Sequence, residues 1–180
     1  MASPSSSEPG APTAAVPDPF AVLGLPPRFD VDLAALERAY FERQKQLHPD
    51  RAAATGDRVA QLARARALND AYQVIKRPVA RAEHLLARAG LGIGDHERID
   101  PAFLMEILEL REELAAVRAA GDLARVGALA AAMVARRDAA IADLGARFAA
   151  GELAEAKQQV IALRYVQRYL DECDAALDAE

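Results

Sequence analysis

The sequence predicts an all-α protein in two helical parts, on three observations. Alanine is abundant, and Leu, Arg and Glu, which also form helices readily, are common along the chain. Apolar side chains recur at helical spacing, and no run alternates apolar and polar residues as a strand does. Pro and Gly residues divide this pattern into segments. We therefore expect an N-terminal helical hairpin with flanking helices, followed by a C-terminal three-helix antiparallel bundle.

Composition and charge exclude several classes of protein. The single Cys173 rules out an internal disulfide and a cysteine-based zinc or iron–sulfur site within one chain. No apolar run approaches the ~20 residues that a membrane-spanning helix needs. The chain has 12 Lys+Arg against 10 Asp+Glu up to Leu91, and 10 against 17 from Gly92 onward. Because the second half is acidic, we expect no nucleic-acid partner. We also expect no membrane partner, no metal and no cofactor.

Four segments are predicted along the chain. Residues 1–17 are Ser, Pro, Ala and Gly with almost no large side chains, which predicts a disordered tail. The tail has neither the basic start nor the apolar centre of a signal peptide, so a cytoplasmic protein is expected. Residues 18–90 should form the first helical domain, residues 91–99 a glycine-containing linker, and residues 100–180 the bundle.

The first domain should contain an antiparallel pair of helices. The first runs from about Val31 to Leu47, because Pro49 cannot continue a helix and restricts His48 as well. The second runs from near Asp57 to Ile75. The residues expected to face inward are Leu33, Leu36, Tyr40 and Leu47 on the first helix, and Leu62, Ala65, Leu68, Tyr72 and Ile75 on the second.

The tip of this hairpin resembles that of a J-domain. The resemblance rests on His48-Pro49-Asp50 between two amphipathic helices, on the preceding stretch 18–25 and on the following stretch 68–75, which contains Asn-Asp-Ala-Tyr. J-domains dock on DnaK-type ATPase chaperones and accelerate their ATP hydrolysis. The resemblance implies a chaperone-docking site at the tip, with basic residues around it: His48, Pro49, Asp50, Arg51, Arg38, Arg43 and Lys45. The alternatives are an ordinary helix hairpin and an ordinary solvated charged face.

In the bundle, apolar residues occur outside the predicted core face. Phe103, Ile107, Leu110, Leu114 and Val117 form one stripe on the first bundle helix. Leu104, Met105 and Leu108 point away from that stripe, among Glu109, Arg111 and Glu112. On the last helix, Ile161 and Tyr165 are likewise expected to point away from the buried side. An exposed apolar patch rimmed by charge indicates a protein partner. Packing against the first domain or a second copy would explain the same pattern.

Two further stretches resemble the HscB-type co-chaperones of iron–sulfur cluster biogenesis. They are residues 77–86 and residues 103–114, the second of which is Phe-Leu-Met-Glu-Ile-Leu-Glu-Leu-Arg-Glu-Glu-Leu. The resemblance implies that an IscU-type scaffold binds the bundle and that the chaperone is HscA-like. His84 stands where an aromatic residue is expected, and the absence of a paired-cysteine module fits the bacterial branch. The implied scaffold-binding residues are Leu104, Met105, Leu108, Glu109, Arg111, Glu112 and Tyr165.

The resemblance implies a non-enzymatic adaptor that holds the scaffold on the bundle and presents it to the chaperone, while the hairpin tip triggers ATP hydrolysis. Since the chain lacks a Walker-type glycine-rich loop, we expect that it does not hydrolyse ATP itself. Two other interpretations stay open. One is a J-domain protein with a different client. The other is a metal-dependent helical-bundle enzyme that uses His48, His84, His96 and nearby carboxylates.

Overall fold

Helices account for all the regular secondary structure in the part of the chain that the structure describes. The computed structural model describes residues 17–47, 58–94 and 97–179, and within these ranges it contains no strand. The all-α prediction is confirmed. The predicted tip residues 48–51 and all but the last residue of the predicted tail lie outside the described residues. Those ranges contain the helices α1 (Pro19–Leu23), α2 (Leu33–Gln46), α3 (Arg58–Lys76), α4 (Pro78–Arg88), α5 (Pro101–Ala119), α6 (Leu123–Ala150) and α7 (Leu153–Leu177).

Local capping explains where most of these helices begin and end. Four of them start after an aspartate whose side-chain oxygen accepts a backbone N–H two or three residues further on. Proline occupies the start of α1, α4 and α5, where its missing N–H leaves no bond unmade. Gly151 ends α6 in the left-handed conformation, with a φ of 77°. The four capping residues are Asp18, Asp32, Asp100 and Asp122.

The N-terminal core forms where α1 packs on the α2–α3 hairpin. Its buried members are Phe20 and Leu23 from α1, Leu36 from α2, and Leu68, Ala71 and Ile75 from α3.

Two of the leucines predicted to face this core do not reach it. Leu62 is 72% exposed, because it lies about 120° from Leu68 around the axis of α3 and therefore outside the buried arc. Leu33 is also exposed, since it is the first residue of α2 and lies about 60° from Leu36, at the rim of that arc. The predicted inward positions of Leu33 and Leu62 are wrong.

The bundle core lies between α5, α6 and α7. The predicted stripe on α5 is confirmed, since Ile107 and Leu114 are buried and Phe103, Leu110 and Val117 pack against the core. The other buried residues of the bundle core are Val126, Leu129 and Met133 from α6, and Val166, Tyr169, Leu170, Cys173 and Ala176 from α7.

Helix α7 is buried on more than one side. The prediction that Ile161 points outward is wrong, since this residue is only 3% exposed. The reason is that α7 contacts α4 and α5 as well as α6, so the single buried stripe expected of a bundle helix is too narrow. Tyr169 is fully buried for the same reason, although its position in the pattern had not marked it as core.

The two parts of the chain are joined by a packed apolar junction. Ala82 and Leu86 of α4 are buried together with Leu144 of α6 and Val160 of α7. Phe29, in the connection between α1 and α2, belongs to the same cluster.

Phe29 is held on both sides within this junction. Its ring stacks on that of Phe148, with centroids 5.1 Å apart and an angle of 9° between the planes. The guanidinium of Arg81 lies 4.8 Å from the centroid of the Phe29 ring, and its Nη1 donates to the Ile75 carbonyl at 2.6 Å.

Polar contacts tie the predicted linker to α7. Lys157 donates from Nζ to the Gly92 carbonyl at 3.0 Å and pairs with Glu97 at 2.9 Å. The Glu97 carboxylate also accepts the Gly94 N–H at 2.8 Å, and these two bonds lower the pKa of Glu97. The described residues of the linker therefore run along the bundle.

Two glycines of α6 give a matched test of the junction. Gly127 has open space around it, whereas a Cβ on Gly145 would meet the Asp30 carboxylate at 3.0 Å and the Phe29 ring at 3.6 Å. We expect Gly127→Ala to raise the free energy of unfolding by about 0.5–1 kcal/mol, because glycine loses more backbone entropy in a helix. Gly145→Ala should show little or no gain. Urea unfolding followed by circular dichroism measures both, and an equal gain at both positions would contradict the close approach at Gly145.

The buried Tyr169 predicts a loss of stability at high pH. Burial raises the pKa of Tyr169 to about 12, because the charged phenolate is disfavoured there. Since the folded pKa lies above the unfolded value, the stabilisation is complete below about pH 10 and is lost as the pH rises towards 12. The free energy of unfolding should fall between about pH 8 and about pH 11, and this fall should be about 1 kcal/mol smaller for Tyr169→Phe than for the wild type. Urea unfolding of both proteins at the two pH values measures this, and equal losses would show that Tyr169 does not titrate late.

Candidate protein-docking surfaces

Side chains of the Asn-Asp-Ala-Tyr segment hold the hairpin together. The Tyr40 hydroxyl on α2 donates to Oδ1 of Asn69 on α3 at 2.7 Å. The rings of Tyr40 and Tyr72 lie 4.5 Å apart, and Ala71 is buried in the core below them. Asn69, Ala71 and Tyr72 therefore help to pack α3 in the hairpin. This packing is a physical reason for the presence of the Asn-Asp-Ala-Tyr segment there.

A second contact fixes the hairpin next to its tip. The Leu47 carbonyl, at the end of α2, accepts a hydrogen bond from Nε2 of Gln61 at 2.7 Å. The last carbonyls of a helix lack partners within it, so Gln61 satisfies one of them and also ties the first turn of α3 to α2. The chain thus leaves α2 and enters α3 at adjacent points. His48, Pro49, Asp50 and Arg51 belong to the connection between those points, outside the described residues.

The predicted basic residues of α2 differ in their surroundings. Arg38 is exposed and lies 3.7 Å from the Asp32 carboxylate, and Lys45 pairs with Glu42 at 2.9 Å. Arg43 is half-buried, with its guanidinium lying across Gly24 at the end of α1 and bonded to the Ala39 carbonyl at 3.3 Å. Arg38 and Lys45 therefore lie at the surface in ion pairs with exposed carboxylates, whereas Arg43 contributes to the packing of α1 on α2.

Helix α5 carries an exposed apolar surface opposite its buried stripe. Leu104, Met105 and Leu108 are 36%, 57% and 44% exposed. Glu109 and Glu112 are exposed beside them on the same helix. We call these five residues the α5 patch. An apolar centre with an acidic rim has the composition of a protein-binding surface.

The other two residues implied for scaffold binding are partly engaged within the bundle. Arg111 bonds to Glu172 of α7 at 2.8 Å and is half-buried. Tyr165 was expected to project from α7, but its ring meets that of Phe103 edge to face, with centroids 6.2 Å apart. Phe103 immediately precedes Leu104, so Tyr165 lies at the edge of the α5 patch. Arg111 and Tyr165 each connect α5 to α7 there.

The edge of the α5 patch is also stabilised from α6. The Arg136 guanidinium lies 5.4 Å from the centroid of the Phe103 ring. Its Nη1 and Nη2 donate to the two carboxylate oxygens of Glu106 at 2.5 and 2.8 Å. This pair lowers the pKa of Glu106. The sequence pattern did not identify Arg136, since it lies 30 residues from Glu106 and no local spacing relates the two.

His84 lies in an ion-pair cluster at the start of α1. Its Nε2 is 3.1 Å from Oδ1 of Asp18, whose other oxygen accepts from Arg88. Because a guanidinium already occupies this carboxylate, the cluster is a structural ion pair between α1 and α4. Within 17–47, 58–94 and 97–179, no group of three or more His, Cys, Asp or Glu side chains is placed to hold a metal. His48 and His96 lie outside these ranges.

None of the helices within the described ranges combines the length and the apolar composition that crossing a membrane requires.

Comparisons with known proteins agree with this architecture. A family profile described as the HSCB C-terminal oligomerisation domain matches residues 99–174. A Vibrio vulnificus protein named co-chaperone protein HscB homolog is 48% identical over 99 residues, which is 53% of this chain and 58% of the relative. The match therefore spans little more than half of that curated relative.

Solved structures extend the likeness to nearly the whole chain. Chaperone HscB from Vibrio cholerae is 33% identical, with a TM-score of 0.77, over 90% of this chain and 98% of the other. The crystal structure of human co-chaperone HscB, at 22% identity, shares the fold with a TM-score of 0.81, over 100% of this chain and 96% of the other. The fold is thus that of a co-chaperone with a J-domain followed by a helical bundle. The chain belongs to the HscB family.

Adjacent positions on α5 distinguish surface from core. Ile107 is fully buried, whereas Leu108 is 44% exposed. We expect Ile107→Ala to lower the free energy of unfolding by about 2–5 kcal/mol, because it removes buried methyl groups and leaves a cavity. Leu108→Ala should change it by less than about 0.5 kcal/mol. Urea unfolding measures both, and a loss at Leu108 as large as at Ile107 would mean that the α5 patch is part of the core.

Proposed function

We propose that the protein is a non-enzymatic adaptor. It binds an IscU-type iron–sulfur scaffold on its bundle and presents it to an HscA-like chaperone of the DnaK type, whose ATP hydrolysis it stimulates. The observation that carries the proposal is the α5 patch, whose three apolar side chains are exposed on the side of the helix opposite its buried stripe. Membership of the HscB family supports the choice of partners. The proposed site of action is the cytoplasm.

The α5 patch supplies both affinity and orientation in this proposal. Leu104, Met105 and Leu108 are removed from water on binding, and the flexible Met105 side chain adapts to the shape of the partner. Glu109 and Glu112 pair with basic groups on the scaffold, which mainly speeds the encounter and sets the orientation. Tyr165 and Arg111 act at the edge of the α5 patch, where their contacts to Phe103 and Glu172 hold them in place. No group of this chain takes part in cluster chemistry, which belongs to the scaffold.

The hairpin tip acts on the chaperone by binding. His48 and Asp50 serve as docking groups, and Pro49 restricts the backbone between them. They favour one state of the chaperone over another, so that stimulation is a coupling between two binding equilibria. Arg38, Lys45 and Arg51 add positive charge around the tip, and Arg43 adds charge from its position against Gly24. One adaptor that holds both proteins raises the effective concentration of the scaffold at the chaperone.

The experiment that tests the proposal is a steady-state ATPase assay of HscA-like chaperone with this protein, with and without scaffold. Wild type should stimulate the chaperone, and scaffold should increase the rate further. His48→Gln should abolish stimulation, because the tip loses a docking group. Leu108→Ala should retain stimulation but weaken scaffold binding by about tenfold, as removal of a buried interface side chain does.

Leu62→Ala is the control for scaffold binding, because Leu62 is also an exposed leucine but belongs to α3 in the N-terminal part of the chain. It should bind scaffold as the wild type does. Stimulation by wild type with no further effect of scaffold would favour a J-domain co-chaperone with a different client. An absence of stimulation would refute the role proposed for the hairpin tip.

A further inference from the structure

An open cleft lies where the two parts of the chain meet. Its volume is about 820 Å³, and it is bounded by the start of α4, the middle of α6 and the middle of α7. Pro78, Val79 and Ala80 from α4 and Ile141 from α6 are half-buried and form its apolar floor. None of the residues that line it belongs to the α5 patch.

Arginines surround this floor. Arg164 pairs with Glu83 across the junction at 2.6 Å, and Arg137 pairs with the neighbouring Asp138 at 2.9 Å. The four arginines that line the cleft are Arg77, Arg137, Arg164 and Arg168, against the two carboxylates Glu83 and Asp138. The cleft therefore has an excess of positive charge.

Two of these arginines are not neutralised. Arg77 and Arg168 are exposed, and neither forms an ion pair with any residue in the described ranges. The Arg168 guanidinium lies 5.8 Å from the centroid of the Tyr165 ring. The Gln167 side chain, also in the cleft, is bonded to Asp171 at 2.9 Å.

The position of these cations is unusual for this chain. From Gly92 onward the sequence has 10 Lys+Arg against 17 Asp+Glu, yet three of those ten cations line this cleft. An excess of positive charge within an acidic body attracts negatively charged groups to that point in particular. Because Glu83 and Asp138 also line the cleft, a long polyanion such as a nucleic acid is disfavoured, and a short acidic segment is favoured.

We propose that this cleft binds an acidic peptide segment of a partner protein. Carboxylates of the peptide pair with Arg77 and Arg168, whose planar guanidinium groups match a carboxylate with two parallel hydrogen bonds. An apolar side chain of the peptide packs on Val79 and Ile141. Because these groups come from both parts of the chain, the peptide bridges α4 to α6 and α7, and its binding stabilises the junction.

The test uses the full chain and a capped synthetic peptide in which three glutamates alternate with two leucines. Methyl NMR spectra should show shifts at Val79 and Ile141 on titration. Arg77→Glu together with Arg168→Glu should weaken binding by at least about tenfold, since two charge-assisted pairs are lost. The same double variant should bind the counterpart peptide that has lysine in place of glutamate. Both substitutions lie at exposed positions, so the variant should unfold as the wild type does.

Arg118→Glu is the matched control, because Arg118 is an exposed arginine on α5 that does not line the cleft. It should bind the acidic peptide as the wild type does. The proposal is overturned if the peptide leaves Val79 and Ile141 unshifted, or if it shifts the residues around Arg38 and Lys45 instead. It is also overturned if Arg118→Glu weakens binding as much as the double variant. None of these readouts involves chaperone or scaffold, so failure here leaves the adaptor function standing.

Discussion

The contact of Phe29 with Phe148 is the interaction on which the packing of the N-terminal helices against the bundle depends. It places the connection between α1 and α2 against α6, and Ala82 and Leu86 of α4 complete the same buried cluster. Burying a phenylalanine contributes about 1.5–3 kcal/mol. Burying the Arg81 guanidinium at the junction costs free energy, and the same burial lowers the pKa of Arg81. Its bond to the Ile75 carbonyl and its position on the Phe29 ring offset that cost. The J-domain is thereby fixed to the bundle by side chains from three separate stretches of sequence.

Features that depend on nearby residues could be predicted from the sequence, and those that depend on tertiary neighbours could not. The helix starts at Asp18, Asp100 and Asp122 follow from a capping residue and the residues just after it. The buried stripe of α5 follows from helical spacing. The prediction for Ile161 was wrong because helical spacing does not reveal how many other helices pack against a given helix. Helix α7 contacts α4, α5 and α6. The prediction that Leu62 is buried was wrong for a related reason. Whether a leucine at the edge of an apolar stripe is buried depends on the position of the neighbouring helix, and Leu62 is exposed.

In the candidate sites, too, features of a single helix could be predicted from the sequence, whereas contacts between helices could not. Leu104, Met105 and Leu108 could be assigned to the surface because they lie off the stripe, and the structure exposes all three. The bonds of Arg111 to Glu172 and of Arg136 to Glu106 join different helices, so no pattern along one helix predicts them. Family resemblance identified the Asn-Asp-Ala-Tyr segment without a physical reason. The structure provides one, since Tyr40 pairs with Asn69 and packs on Tyr72. The tip residues His48, Pro49 and Asp50 remain a prediction from sequence alone.

The junction also implies an order of folding. Helices α6 and α7 follow each other across Gly151 and Glu152, so their pairing closes a very short loop. Phe29 meets Phe148 only after more than about a hundred residues of chain have been closed, which costs more entropy and is slower. During synthesis the N-terminal part emerges first, with Phe29, Ala82 and Leu86 facing water until the bundle is complete. A chain of the co-chaperone family therefore itself passes through a stage with an uncovered apolar face, the kind of surface that chaperones recognise.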